Sequence, residues 1–297
     1  MKLLLLGANG QVGWELQRSL APLGELKACD REEANLEDAE SLTSLIDNYK
    51  PEIIVNAAAY TSVDKSESEP EKSFRINAKA VGLLAHEIKQ INGWLIHYSS
   101  DYVFDGTKKT PYSEKDQTNP LSVYGKSKLE GEKQIIRSGC NHLIFRTSWV
   151  YAVRGNNFAK KMIELAKFDN EIKVVSDQIG TPTSAELIAD ISAFCLYKVI
   201  LDTTKKNLKG IYNLTPTGET SWHEYAQFVI KEAQKRDGEL KITSEKIIPI
   251  KTKDYPLPAI RPANSRLNTQ KIRNAFKIYL PPWQMNLVRM IKEIYSQ

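Results

Sequence analysis

Cysteine is scarce in this chain. Cys29, Cys140 and Cys195 are the only three in 297 residues. An odd number of thiols in apolar surroundings suits a reducing compartment better than a disulfide framework, so the protein is expected in the cytoplasm. A long apolar run is missing too. The opening MKLLLLGANGQVG starts like a signal peptide, but its four leucines stop at a glycine cluster. A signal sequence needs about 7–15 apolar residues and a membrane span about 20, so this start reads as a buried strand with no membrane partner. There is no dense Lys/Arg block, and no nucleic-acid partner is expected. The net charge of +5, from 41 basic and 36 acidic side chains, is too weak to nominate a ligand. His86, His97, His142 and His223 are scattered, without the spacing of a zinc site. His97, inside a strand, reads most simply as a packed core residue. Internal repeats and low-complexity tracts are also absent.

What is present has a globular texture, with 41% hydrophobic and 26% charged residues. The length allows two domains or one large one, with about three-quarters of the unfolded surface buried. Short apolar runs alternate with amphipathic stretches through the first half. Strands are expected at Leu3–Leu6, Glu25–Ala28, Ile53–Val55, Trp94–His97 and His142–Phe145. Helices are expected at Gln11–Leu20, Ala39–Asn48, Pro70–Gln90 and Val123–Arg137. This is the pattern of repeated βαβ units, hence a doubly wound parallel sheet covered on both faces. After Trp149 the texture changes. Arg154–Asn157 reads as a loop, with helices at Ala159–Lys167 and Ser184–Tyr197 and strands at Ile172–Val175 and Ile211–Leu214. The proline-rich Tyr255–Pro262 does not suit a sheet interior.

Gly7, Gly10 and Gly13 lie in GANGQVG, directly after a predicted strand and at the opening of a helix. Glycines there permit a tight turn, close approach of the backbone to a pyrophosphate, and close helix–strand packing. The spacing is GxxGxxG rather than GxGxxG, but the strand–turn–helix context is what the motif requires. Asp30 follows the second strand, 23 residues after Gly7. Its carboxylate could accept from an adenosine ribose and repel a 2′-phosphate, whereas the adjacent Arg31 could pair with that phosphate. NAD and NADP therefore both stay open, and both charges could equally be solvated. Small residues Asn56–Ala59 follow the third strand, where a flat ligand could approach or helices could pack. The fold expected is α/β: a Rossmann-type doubly wound parallel sheet with a smaller, mostly C-terminal α/β substrate-binding domain. Residues 1–150, joined by parts of 180–215, would form the dinucleotide-binding domain, and 151–297 mainly the substrate-binding one.

Tyr124 and Lys128 stand at i and i+4 in YGKSK, on one face of a predicted helix. A phenol with its ordinary pKa near 10 is poorly matched to proton transfer at neutral pH, and a nearby ammonium and a cofactor's positive ring would lower it. Ser99 and Ser100 end the fourth strand, where a hydroxyl can polarise a carbonyl. A YxxxK spacing alone is common on solvated helix faces. Its coexistence with the glycine turn and the strand-end hydroxyls gives it weight.

The glycine turn, NAAAYT, SSDYVFDG, YGKSKLEGE, FRTSWVY, GNNF and RPANSRL follow one another across the whole chain. Together they resemble the extended short-chain dehydrogenase/reductases, and most closely the reductases of 4-keto sugar nucleotides among them. The resemblance implies that NADPH or NADH reduces the C4 carbonyl of a dTDP-linked 6-deoxy-4-hexulose. Tyr124 would give the proton to the C4 oxygen, and Lys128 would bind the nicotinamide ribose and hold the Tyr pKa down. Ser100 would steady the developing alkoxide, in a place where the family usually has threonine. Gly10, Gln11 and Val12 would line the pyrophosphate between Gly7 and Gly13, with Asp30 near the adenosine ribose. Ala59 and Thr61 would border the cofactor further along. Ser100, Asp101 and Trp149 would contact the substrate, although Trp149 suits a core position as well. Arg261 is a candidate diphosphate ligand through its bidentate fork, or a plain surface arginine. Some members carry Mg2+ at a dimer contact, and Glu15, Glu186 and Glu293 fall where its carboxylates would be, unless they are merely solvated. A sugar nucleotide is thus the expected small-molecule partner and a second copy the expected protein one.

Two other functions fit the same pattern less well. A sugar-nucleotide epimerase or dehydratase shares the fold, but a dehydratase would place an Asp-Glu pair where this chain has Asp101 and Tyr102. A relative of these reductases is a non-catalytic regulatory partner of methionine adenosyltransferase. Such a binding module need not keep Tyr124, Lys128 and Ser100.

Overall fold

Leu3, Leu4, Leu5 and Leu6 are all fully buried, which a strand achieves only when both faces of its sheet are covered. In the computed structural model, which describes residues 1–201, 208–238 and 240–296, they form β1 (Lys2–Leu6). Five more strands join it: β2 (Glu25–Cys29), β3 (Ile53–Asn56), β4 (Trp94–Ser100), β5 (Asn141–Thr147) and β6 (Gly210–Asn213). Their order is β6-β5-β4-β3-β1-β2, and every pairing is parallel. The chain moves outward from β1 to β2 and then returns to β1's other side at β3. The carboxyl ends of β1 and β3 therefore form the topological switch point of a Rossmann-type sheet, where ligands bind.

Eight helices of ten or more residues are present among the described residues: α1 (Gln11–Leu20), α2 (Ala39–Tyr49), α3 (Ala80–Gln90), α4 (Val123–Ser138), α5 (Phe158–Phe168), α6 (Ala185–Ile200), α7 (Trp222–Gln234) and α8 (Trp283–Ile294). Leu3, Leu5, Ile96 and Phe145 pack with α1, α6 and the short helix Gln270–Phe276 on one face. Leu4, Leu6, Ile54 and Ile144 pack with α2, α3 and α4 on the other. A separate core gathers α5, α7 and α8 over the parallel pair Ile172–Val175 and Ile247–Ile250. Helix α6 and strand β6 belong to the first core. Positions 202–207, within the 180–215 stretch expected there, lie outside the described residues.

One element departs from its expected form. The helix read as Pro70–Gln90 is interrupted by a π-helical turn at Arg75–Lys79. That turn carries Asn77 inward, where its side chain pairs with both backbone groups of Tyr60 and donates to Ser127 Oγ of α4. Gly131 makes room: a Cβ there would stand 2.2 Å from the Asn77 carbonyl. A hydrophobic pattern cannot reveal the insertion, because it satisfies polar groups rather than apolar ones. The loop read at Arg154–Asn157 and the absence of a strand over Tyr255–Pro262 agree with the structure.

Candidate active site

The glycine turn is built almost wholly by backbone. Gly7 has φ +84°, a left-handed conformation that suits glycine, and its N–H and that of Ala8 both donate to the Cys29 carbonyl. A Cβ at Gly13 would lie 2.0 Å from the Gly7 oxygen, so α1 can press onto the turn only with glycine there. A Cβ at Gly10 would meet only the Gly7 oxygen, at 3.3 Å. Gly10 is the N-cap of α1 and supplies no side-chain hydrogen bond, which leaves the first N–H groups, Gln11 and Val12 among them, for a ligand. The shape and polarity fit the pyrophosphate of a dinucleotide.

Around the turn, several expected residues already have partners. Asp30 Oδ1 accepts from the Glu32 N–H at 2.8 Å, and Oδ2 accepts from Asn9 Nδ2 at 2.8 Å. Its carboxylate shapes the loop after β2. Arg31, 73% exposed, pairs with Glu37 at 3.1 Å. Ala59 and Thr61 lie in the segment after β3, which Asn77 holds through Tyr60. Gln11 reaches further than expected: its Oε1 accepts from Asn157 Nδ2 at 3.2 Å, tying the turn to the RGNN loop.

Side chains build the ends of β4 and β5. Ser122 caps α4 and places Tyr124 in its first turn. The structure brings Tyr124, Ser100 and Asp101 together. Burial raises the Tyr124 phenol to about 12, the Asp101 charge adds to the rise, and a hydrogen bond from Ser100 opposes it. The rise runs opposite to the expected depression, which counted on a cofactor's positive ring as well as the ammonium. Lys128 Nζ donates to the Tyr98 carbonyl at 2.6 Å. Lys128 is 2% exposed, and burial lowers it to about 8 against the supporting charge of Glu132. Asp101, also buried, rises to about 6 because its charge is stripped of water, while hydrogen bonds from Ser265 and Ser100 work against the rise. Ser100 Oγ donates to Asp101 Oδ1 at 2.9 Å. The Tyr102 ring stands edge-on to Tyr124, 5.5 Å between centroids.

The remaining expected substrate contacts are mixed. Trp149 takes a left-handed φ of +48° and stacks on Trp222, ring centroids 3.6 Å apart. Gly180 lies against its indole, and a Cβ there would come within 2.6 Å. Arg261 does not present a free fork: Nη1 and Nη2 donate to Asp64 Oδ1 and Oδ2 at 3.0 and 2.7 Å. As the structure stands, its bidentate face is on a carboxylate. Burial and the charge of Glu186 raise Glu15, with Glu293 adding less. Glu186 pairs with Arg289 at 3.2 Å. Among the described residues no group of three or more His, Cys, Asp or Glu could hold a metal ion, and the Mg2+ site is expected at a contact between two copies. His97 is fully buried against Asn56, and burial holds it well below its ordinary pKa, as a neutral core residue should be.

The sequence reading missed three features: the buried Glu132–Arg146 pair, the Asp64 grip on Arg261, and Trp222. Only Glu132 had a local signal, since it continues the Tyr124–Lys128 stripe at i+8.

A family model described as the RmlD substrate binding domain matches residues 1–296. The chain belongs to that family. Within it, the curated dTDP-4-dehydrorhamnose reductase of Escherichia coli strain K12 is 47% identical over 300 residues, covering 100% of this chain and 99% of that one. The Burkholderia thailandensis reductase of the same name is 44% identical over the full length of both. Among solved structures, the Bacillus anthracis dTDP-4-dehydrorhamnose reductase in complex with NADP has 31% identity and a TM-score of 0.87, covering 98% and 99% of the two chains. A Thermus thermophilus UDP-glucose 4-epimerase with NAD is only 18% identical at a TM-score of 0.79, so it shares the fold of this RmlD family member.

Proposed function

We propose that this chain reduces the C4 keto group of dTDP-4-dehydro-β-L-rhamnose to give dTDP-L-rhamnose, with NADPH or NADH as reductant. The observation that carries the reading is full-length identity of 44–47% to curated reductases of that name, in a chain that keeps Tyr124, Lys128 and Ser100. When bound, the nicotinamide supplies the hydride that goes to C4. Tyr124 gives its proton to the C4 oxygen, so the carbonyl becomes an alcohol with hydride and proton both accounted for. A phenol held near 12 stays protonated at neutral pH, which suits a proton donor. Ser100 steadies the negative charge that grows on the oxygen. Lys128 binds the nicotinamide ribose, and the turn from Gly7 to Gly13 receives the pyrophosphate, with Asp30 and Arg31 toward the adenosine. Asp101 and Trp149 face the sugar nucleotide, and Arg261 reaches its diphosphate on release from Asp64. The sheet of six strands holds the cofactor, and the core of α5, α7 and α8 forms most of the substrate half.

Three buried free thiols support a place in the cytoplasm, and no helix among the described residues is long and apolar enough to cross a membrane. Homodimerisation, with the carboxylates of Glu15, Glu186 and Glu293 at the contact, belongs to the same reading. Tyr124→Phe tests the chemistry. Its turnover should fall by about 10²–10⁴ while NADPH still binds. Near-normal turnover in that variant would refute the role of Tyr124.

A further inference from the structure

Behind Tyr124 and Lys128 lies a buried ion pair that the proposed reaction does not use. Glu132, one turn beyond Lys128 on α4, is 1% exposed, and Arg146 on β5 is 3% exposed. Arg146 donates through Nε to Glu132 Oε1 at 2.9 Å and through Nη2 to Oε2 at 2.6 Å. Ser99 Oγ donates to the same carboxylate. Ser99 and Arg146 are register partners on neighbouring strands, so one side chain fastens α4 to the ends of both β4 and β5. The next residue after Ser99 is Ser100.

A buried pair is a poor way to gain stability. Removing two charges from water costs about as much as their attraction returns, and well-packed apolar residues often serve as well. Its location has more to say. The Arg146 guanidinium lies 5.1 Å from the Phe104 ring, and its hydrogen bonds go to the Glu132 carboxylate. We propose that Glu132, held by Arg146 and Ser99, is a positioning residue for the reaction. It fixes Tyr124 and Lys128 against Ser100 and supplies the negative charge that supports the Lys128 ammonium. This rests on the reductase reading above.

The groups around Lys128 can be named. On α4 they are Tyr124 and Glu132. β4 brings neutral His97 and the Tyr98 carbonyl, and Arg146 of β5 stands on the far side of Glu132, paired with its carboxylate. The helical run from 63 to 90 meets α4 through Ser73 and Asn77, which bond Ser127, and through Glu67, which accepts from the Val123 N–H. Among these, Glu132 is the charge that sustains the ammonium.

The test follows the lysine ε-carbons by NMR across pH in the full, cofactor-free chain, with Lys128 assigned by its loss in Lys128→Met. Two variants are compared with the parent: Glu132→Gln, and the apolar pair Glu132→Leu with Arg146→Leu, which folds without leaving a charge stranded. In the parent, Lys128 should titrate near pH 8. In Glu132→Gln, Lys128 should titrate about one unit lower, and in the apolar pair, which removes a cation together with the carboxylate, it should shift less. With the 4-keto sugar nucleotide, the alkaline limb of kcat/KM should move by the same amount, and kcat should fall between about tenfold and a hundredfold. A folded Glu132→Gln variant whose Lys128 titrates at the parent's pH, or a folded apolar-pair variant that keeps the parent's kcat, would overturn the proposal. The titration needs no catalysis. A parent that binds NADPH but never reduces the sugar would therefore sink the reductase reading separately.

Discussion

At the end of β1 the chain turns on backbone groups alone, whereas at the ends of β4 and β5 it is side chains that are brought together. The first region is held by N–H groups bonded to the Cys29 carbonyl and by Gly7 and Gly13, which leave no space for a Cβ. Its charged neighbours are solvated: Arg31 is mostly exposed and paired with Glu37. The second region is dry. Asp101, Lys128, Glu132 and Arg146 are nearly inaccessible, and the ordinary titrations of Asp101, Lys128 and Tyr124 are displaced there. A pyrophosphate carries its own charge and needs only donors of fixed direction, which a backbone turn provides. Moving a proton to a carbonyl needs groups whose affinity for protons is tuned, and burial does the tuning.

The sharpest way to break this contrast is Gly13→Ala. Its methyl would overlap the Gly7 oxygen, with no side chain able to move aside. Stability should fall by about 3 kcal/mol in urea unfolding, and NADPH binding should be lost. Gly10→Ala is the companion: its methyl would meet one backbone oxygen at 3.3 Å and need it to shift only by a few tenths of an ångström, so stability should fall by about 1 kcal/mol while NADPH affinity still drops. Equal losses in the two variants would mean that the turn is not a backbone cradle.

The next effect belongs to the buried region and depends on pH. Asp101 titrates at about 6 in the folded chain against an ordinary 3.8, because burial favours its neutral form. A raised carboxyl contributes stability that is complete below pH about 4 and is lost as pH rises through 6. The parent should therefore lose on the order of 3 kcal/mol from this group between pH 4 and 7. Asp101→Asn should flatten that part of the profile, as read by unfolding at a series of pH values. A profile with the parent's slope would place the carboxylate in water. The smallest effect is expected at Arg31→Ala, in the solvated region, where KM for NADPH should rise about threefold and that for NADH should stay unchanged.

How much of this was legible in the sequence follows the same division. Continuous apolar strands such as Leu3–Leu6, with the glycines after them, announce a parallel sheet and its switch point, because both signals are local. The placement of Tyr124 and Lys128 on one helix face and of Ser100 at a strand end was legible for a related reason: helical spacing and a strand end are features of a few adjacent residues. The pairs that tie the site together were not. Arg146 meets Glu132 only because α4 lies across β5, and Arg261 meets Asp64 across 197 positions of chain. Helices α7 and α8 of the second core also escaped the reading. Their apolar faces close over rings, with Trp283 edge-on to Tyr225 and Trp149 stacked on Trp222, and of the two strands beneath them only Ile172–Val175 reads as a strand, Pro249 interrupting the other.

The reaction itself is tested most directly by following the hydride. NADPH carrying deuterium at the transferred position is supplied with dTDP-4-dehydro-β-L-rhamnose, and the sugar product is examined by NMR. The account predicts one equivalent of NADPH consumed and one deuterium at C4 of dTDP-L-rhamnose. A product without deuterium at C4, or a changed sugar with no net NADPH consumed, would contradict it.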